Sequence, residues 1–228
     1  MPFVAVLNQS SLDDAKLDRA CLAVDLQMRR DVAPLWGGYM PVMFFSTPHD
    51  LPVAADIARI MTVADTLDVD GAAGYHEFVG VPRGTVLARS DTTAILSHEC
   101  IEMAVDPQCN LWVPMPDGRS VAKEACDPVE GDTYPIEITS FGQKLPEPEY
   151  VSNFAFPNWF RADSKERVDW CGTAPGPLQL APNGYMIVRD KDGSTHDVWA
   201  KSDGVTLLNR ARKVLNSSSR TYRRGIRL

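Results

Sequence analysis

From Thr92 to Pro107 the chain reads Thr-Thr-Ala-Ile-Leu-Ser-His-Glu-Cys-Ile-Glu-Met-Ala-Val-Asp-Pro. Its only strongly polar side chains are His98, Glu99, Glu102 and Asp106. Residues three and four apart share one face of a helix. His98 and Glu102 therefore point the same way, Glu99 lies beside them, and Asp106 sits one turn further on. The remainder, past two leading Thr, is Ala, Ile, Leu, Cys, Met and Val with one Ser. Such a helix has no ordinary solvated face, so the fold must bury it. A buried charge is costly unless it is paired or ligates a metal. The form H-E-x-x-E thus marks a candidate metal site, against the alternative of a surface helix carrying chance charges.

The chain has 228 residues, enough for one large domain or a domain with an appendage. With 44% hydrophobic and 23% charged residues and 17 Pro, it reads as a globular protein with many loops. A net charge of −7 argues against nucleic acid as the main partner. The Arg-rich stretch 210–224 reads as a solvated basic tail, with contact to an acidic surface as the alternative. No apolar run is long enough for a bilayer, and the N-terminus lacks the basic start and apolar stretch of a signal peptide. No membrane partner and a cytoplasmic location are expected. Cys21, Cys100, Cys109, Cys126 and Cys171 form no C-x-x-C pair, which points to reduced thiols; a Cys109–Cys126 bridge is the open alternative.

Patterning predicts a strand over 3–7 and an amphipathic helix over 12–33, with Leu17, Ala20, Cys21, Val24, Met28 and Val32 on one side. A strand over 41–45 follows, then an ambiguous segment, helix or strand, over 51–63. Residues 65–74 read as an acidic loop. Residues 75–87 read as a hairpin or edge strand with a turn at Pro82-Arg83-Gly84. Ser90 or Asp91 would cap the motif helix and Pro107 would end it. Residues 110–120 read as a turn-rich link, 121–130 as a short helix or structured loop, and 133–160 as strands broken by Pro. A hairpin over 185–199 and a last short helix over 207–215 complete the reading.

In H-E-x-x-H helices two His one turn apart aim at one zinc ion, with Glu as general base. Here Glu102 replaces the second His and Glu99 would be the base. A neutral three-His set brings zinc-bound water to a pKa near ~7. Carboxylate ligands cancel part of that charge, so acidification weakens and harder ions such as Mn²⁺ or Ca²⁺ become eligible beside Zn²⁺. A third ligand is expected from Glu124-Ala125-Cys126-Asp127, with Asp127 favoured over Glu124 and the other carboxylate holding the free nitrogen of His98. Asp106 lies ~12 Å along a continuous helix from His98, too far to share its ion. His76 would reach the metal or an oxyanion, against the alternative of a loop His bonded to backbone. The alternative for Glu99 is pairing with Lys123. Phe154, Phe156, Trp159 and Phe160 would pack a core or line a pocket.

The H-E-x-x-E helix, Asp106-Pro107, the segment Glu124-x-x-Asp127-x-x-Glu130-Gly131 and the aromatic stretch 151–160 together resemble zincin-like proteins. These include the plant exordium group and related bacterial and phage-encoded chains. The resemblance spans roughly residues 75–160. It implies a metallopeptidase-like fold. The chain is thus expected to be α+β, with a zincin-like core of mixed sheet plus motif-bearing helix over 1–162; residues 163–228 carry no such motif and read as a β-rich addition with a basic tail.

Two functions follow as expectations. One is a zinc-dependent, peptidase-like hydrolase acting on a peptide or protein, with residues 78–88 binding an extended chain by strand addition. The other is a catalytically silent structural or assembly protein that forms a protein assembly or homo-oligomer through its C-terminal tail, in a virion if phage-encoded. A Ca²⁺-stabilised binding module, suggested by the acidic loops 65–70 and 127–132, is a third.

Overall fold

The computed structural model describes residues 2–51, 58–69, 71–140, 143–204 and 206–211. Strand β1 (Phe3–Gln9) lies inside a sheet, with Val4, Ala5, Val6 and Leu7 all buried. Cover on both faces explains why it reads as an unbroken apolar run rather than an alternating one. Helix α1 (Asp14–Gln27) starts where the Asp13 carboxylate accepts the N–H groups of Ala15 and Lys16. The path continues through a π-turn (Met28–Val32) into α2 (Ala33–Trp36) and stops at Gly37, whose φ is +79°. The helical region thus outruns the expected 12–33 at its C-terminal end.

Strands β2 (Val42–Phe45), β3 (Ala58–Ala64), β4 (Gly74–Val79) and β5 (Val81–Leu87) complete a five-stranded sheet in the order β2-β1-β3-β5-β4. All neighbours are parallel except β4, which runs antiparallel to β5 at the edge. The ambiguous 51–63 segment is therefore strand from Ala58 onward. The β4–β5 hairpin turns at Gly80 (φ +74°), and the turn expected at 82–84 lies within β5 instead. Pro82 precedes the first β3–β5 pair, Ile60 with Arg83, so its missing N–H takes no bond from that ladder. The expected peptide-binding strand 78–88 also needs correction. Strand β5 is paired on both sides, and the edge position belongs to β4.

Helix α3 (Thr92–Val105) packs against α1, β4 and β5. Every residue over 95–103 is buried, as its composition required. Asp91 occupies the N-cap position, but its side chain makes no cap bond and pairs with Arg89. The Thr92 hydroxyl closes the turn instead, accepting the Arg89 N–H at 2.7 Å.

Strands β6 (Trp112–Pro114) and β7 (Ser120–Ala122) form a hairpin. Strand β8 (Thr133–Ile136) pairs with β11 (Glu149–Ser152), and β9 (Thr139–Ser140) with β10 (Gln143–Lys144). Strands β12 (Tyr185–Arg189), β13 (Thr195–Ala200) and β14 (Leu207–Ala211) join the first hairpin in an antiparallel sheet of order β14-β13-β12-β7-β6. The boundary expected after residue 162 runs through this sheet, because Val121 pairs with Val188. The helix expected over 207–215 is strand as far as Ala211. Its remainder and the basic tail lie outside the described residues.

The architecture is α+β, with one mixed sheet carrying the motif helix and a β-rich C-terminal part. One core lies between the mixed sheet and helices α1 and α3, and includes Val6, Leu17, Met61, Leu96, Ile101 and Phe154. A second forms around Trp159 and Phe160, whose rings meet edge-on at 4.8 Å. Phe154 stacks on Trp170. The aromatic stretch thus packs cores. All five cysteines are free, so the Cys109–Cys126 bridge is not formed. Among the described residues no helix is long and apolar enough to cross a membrane.

Candidate metal centre

Helix α3 delivers His98, Glu99 and Glu102 to one buried spot, none more than 1% exposed. The segment after β7 comes to meet them. It is irregular until a 3-10 turn at Asp127–Val129, and its conformation is held by α3 itself: Glu102 Oε1 accepts the N–H groups of Cys126 and Asp127, each at 3.2 Å. This clamp places Asp127 Oδ1 3.3 Å from His98 Nε2, which is also 3.2 Å from Glu102 Oε1. Two donors on a tetrahedral ion with bonds of ~2.0–2.1 Å are themselves ~3.3–3.4 Å apart. The spacing therefore fits a shared cation. A single Nε2 proton, by contrast, can satisfy only one of the two carboxylate oxygens.

The opposite side of Glu102 faces His76. This residue is fully buried on β4, not in a loop, and its ring meets carboxylates rather than backbone. Its Nδ1 lies 3.0 Å from Glu99 Oε2 and 3.7 Å from Glu102 Oε2; its Nε2 lies 3.9 Å from Glu124 Oε2. Glu99 is thus engaged with His76, while Lys123 sits over the Trp36 ring. Donor atoms of His98, Glu102 and Asp127 lie within 4.8 Å of one another, and so do donor atoms of His76, Glu102 and Glu124. All six expected site residues meet in one cluster, with Glu124 on the structured loop between β7 and the 3-10 turn, the second of the two forms expected for 121–130.

Asp106 is also buried but does other work. Its two oxygens accept the N–H groups of Asn110 at 3.1 Å and Leu111 at 2.8 Å, fixing the turn after α3. In the acidic loops, Asp65 accepts from Ser11, Asp68 from the Tyr75 hydroxyl and Asp132 from Thr173; Asp70 lies outside the described residues. These carboxylates are committed to protein donors, which weakens the case for a Ca²⁺ loop.

The electrostatics are those of crowded buried acids. Burial, and next the charge of Glu102, push the Asp127 carboxyl up to about 7, with His98 opposing. Burial works against a charged His98, but Glu102, Asp127 and Glu99 outweigh it and hold its pKa well above the ordinary value. His76 is raised in the same way against burial, by Cys109, Glu99 and Glu124. Tyr185, on β12, faces Asp127 and is pushed up by burial and then by Asp127, Glu130 and Glu102. Nothing in the hairpin pattern around Tyr185 marks it as a site residue. Only the antiparallel sheet brings it there.

The chain matches no family model, no curated protein and no solved structure.

Proposed function

We propose that this chain is a metal-binding protein in which His98, Glu102 and Asp127 hold a divalent cation, Zn²⁺ or Mn²⁺, that staples α3 to the turn after β7. The observation that carries this reading is that His98 Nε2 lies 3.2 Å from Glu102 Oε1 and 3.3 Å from Asp127 Oδ1, with all three side chains at most 1% exposed. A divalent cation can replace the protons that hold such buried carboxylates and imidazoles together and bind all of them at once. A structural centre is closed, whereas a catalytic one keeps a position open to substrate. The sealed geometry favours the structural role, on its own or within an assembly, including a virion if the chain is phage-encoded. Five free thiols fit a reducing compartment such as a cytoplasm.

The hydrolase is the second reading, and it brings the zincin-like resemblance with it. One contact favours it: the Glu99 carboxylate pairs with the His76 imidazole at 3.0 Å beside the donor set, an arrangement able to hold and pass a proton. A metal there would supply Lewis-acid polarisation of a carbonyl.

The test is thermal unfolding of chelator-stripped protein with and without added Zn²⁺ or Mn²⁺. An ion at a hundred times its dissociation constant contributes about 2.7 kcal/mol. For a chain of this size that raises the midpoint by roughly 5–11 °C. No shift with either ion would refute the metal reading. Metal-dependent peptide cleavage that Glu99→Gln abolishes would establish the hydrolase, and its absence from the metal-loaded protein would leave the staple.

A further inference from the structure

We infer that the cluster is a two-ion centre bridged by Glu102, with a second divalent cation held by His76, Glu124 and Glu102 Oε2. This rests on the metal-binding reading above and extends it. The two oxygens of Glu102 face different imidazoles: Oε1 lies 3.2 Å from His98 Nε2 and Oε2 lies 3.7 Å from His76 Nδ1, while donor atoms of His76, Glu102 and Glu124 fall within 4.8 Å of one another. Carboxylate-bridged pairs of this kind hold their ions ~3.5–4 Å apart.

The second set has its own supporting contact. With its proton on Nδ1, His76 donates to Glu99 Oε2 at 3.0 Å and turns the Nε2 lone pair toward Glu124. A carboxylate holding the far nitrogen is how a metal-binding imidazole is usually fixed in tautomer and direction. Both atoms left for the ion, His76 Nε2 and Glu102 Oε2, are buried and lack a hydrogen bond of good geometry, with the Cys109 thiol as a further neighbour of the His76 ring. A buried polar atom left in that state is costly, and a cation would relieve both. Charge points the same way. Four carboxyl groups, Glu99, Glu102, Glu124 and Asp127, sit with two imidazoles in a buried cluster. Ion binding displaces protons from the ligands, and with those four groups deprotonated and the imidazoles neutral, one divalent ion leaves two negative charges buried whereas two balance the set. Oxygen-rich donors with one imidazole per ion suit Mn²⁺ as well as Zn²⁺. Glu99 becomes a positioning residue that aims His76.

The experiment is equilibrium dialysis of the stripped full-length chain against Mn²⁺, with the ion counted and its paramagnetic resonance recorded. The wild type should hold two ions per chain, with a spectrum broadened by the neighbouring ion. Glu124→Gln should drop the count to one and restore the six-line pattern of an isolated ion. Glu99→Gln should weaken the second ion by 10- to 100-fold and spare the first. One ion in the wild type, unchanged by Glu124→Gln, would overturn the second site while the first stands. No bound Mn²⁺ would overturn the two-ion centre, and the first site falls with it if Zn²⁺ also leaves the thermal midpoint unchanged. Should Glu124→Gln fail to fold, the wild-type data still decide, because two ions with an isolated-ion spectrum would also overturn the bridge.

Discussion

Replacing Ser97 by Ala removes one hydroxyl that serves two buried partners. Ser97 Oγ donates to Gln27 Oε1 at 2.6 Å and accepts the Ser152 N–H at 3.0 Å. Gln27 in turn donates to the Ser152 carbonyl at 2.8 Å and to the Tyr134 hydroxyl at 3.0 Å. The network ties α1, α3 and β11 together immediately beside His98, and Ser97 and Gln27 are both fully buried. The variant leaves the Gln27 carbonyl and the Ser152 N–H without this partner where water cannot replace it. At about 1–3 kcal/mol for each buried group left unsatisfied, the expected loss is about 2–6 kcal/mol. Urea unfolding of the metal-free protein reads it as a lower midpoint with an unchanged slope. A cycle with Gln27→Leu should show a coupling of about 1 kcal/mol or more, since the two side chains share one network. A loss below about 0.5 kcal/mol, the range of a neutral surface change, would refute the buried clamp.

Two further outcomes follow. At Gly184 a Cβ would lie 2.2 Å from the Pro128 carbonyl oxygen, so Gly184→Ala must push the turn that carries Asp127. A stability loss of about 1–3 kcal/mol with weakened metal binding is expected, and unchanged affinity in a calorimetric titration would contradict it. The metal-free protein should also lose stability as pH rises. The Asp127 pKa is raised on folding from 3.8 to about 7, so the folded chain holds that proton more tightly and its contribution fades between those values. His98 and His76 are raised as well, so their contributions are lost as pH rises through their folded-state values, above 6.5. Denaturation in chelator from pH 4 to 9 should show stability falling with pH, while metal affinity rises as protons leave the ligands. Stability rising over that range would oppose the account.

The motif helix was legible because all its evidence is local: one helical period, an apolar surround with no ordinary solvated face, and the side chains of His98, Glu99, Glu102 and Asp106. His76 was harder to place. Its neighbours Tyr75 and Glu77 are also buried, so the alternation that marks a half-exposed strand is missing from β4. What brings its ring to Glu99 is the antiparallel pairing of β4 at the sheet edge, a non-local fact. Asp127 was expected on chemical grounds, but its aim comes from two backbone N–H groups bound to Glu102, which no side-chain period encodes. The last segment shows the opposite failure. Leu207 and Leu208 suggested a short helix, and pairing with Trp199 and Ala200 on β13 makes it a strand. Cross-strand partners outweigh local preference there. Pro82-Arg83-Gly84 read as a turn by composition, but the turn falls at Gly80, where the backbone takes a positive φ.

Metal content tests the central claim most directly. Protein purified without chelator would be analysed for bound elements, as wild type and as His98→Ala with Glu102→Ala. The account predicts one to two equivalents of a divalent metal per wild-type chain and loss of that metal in the double variant. A wild type that is folded and metal-free, or a double variant that keeps its full metal content, would contradict it.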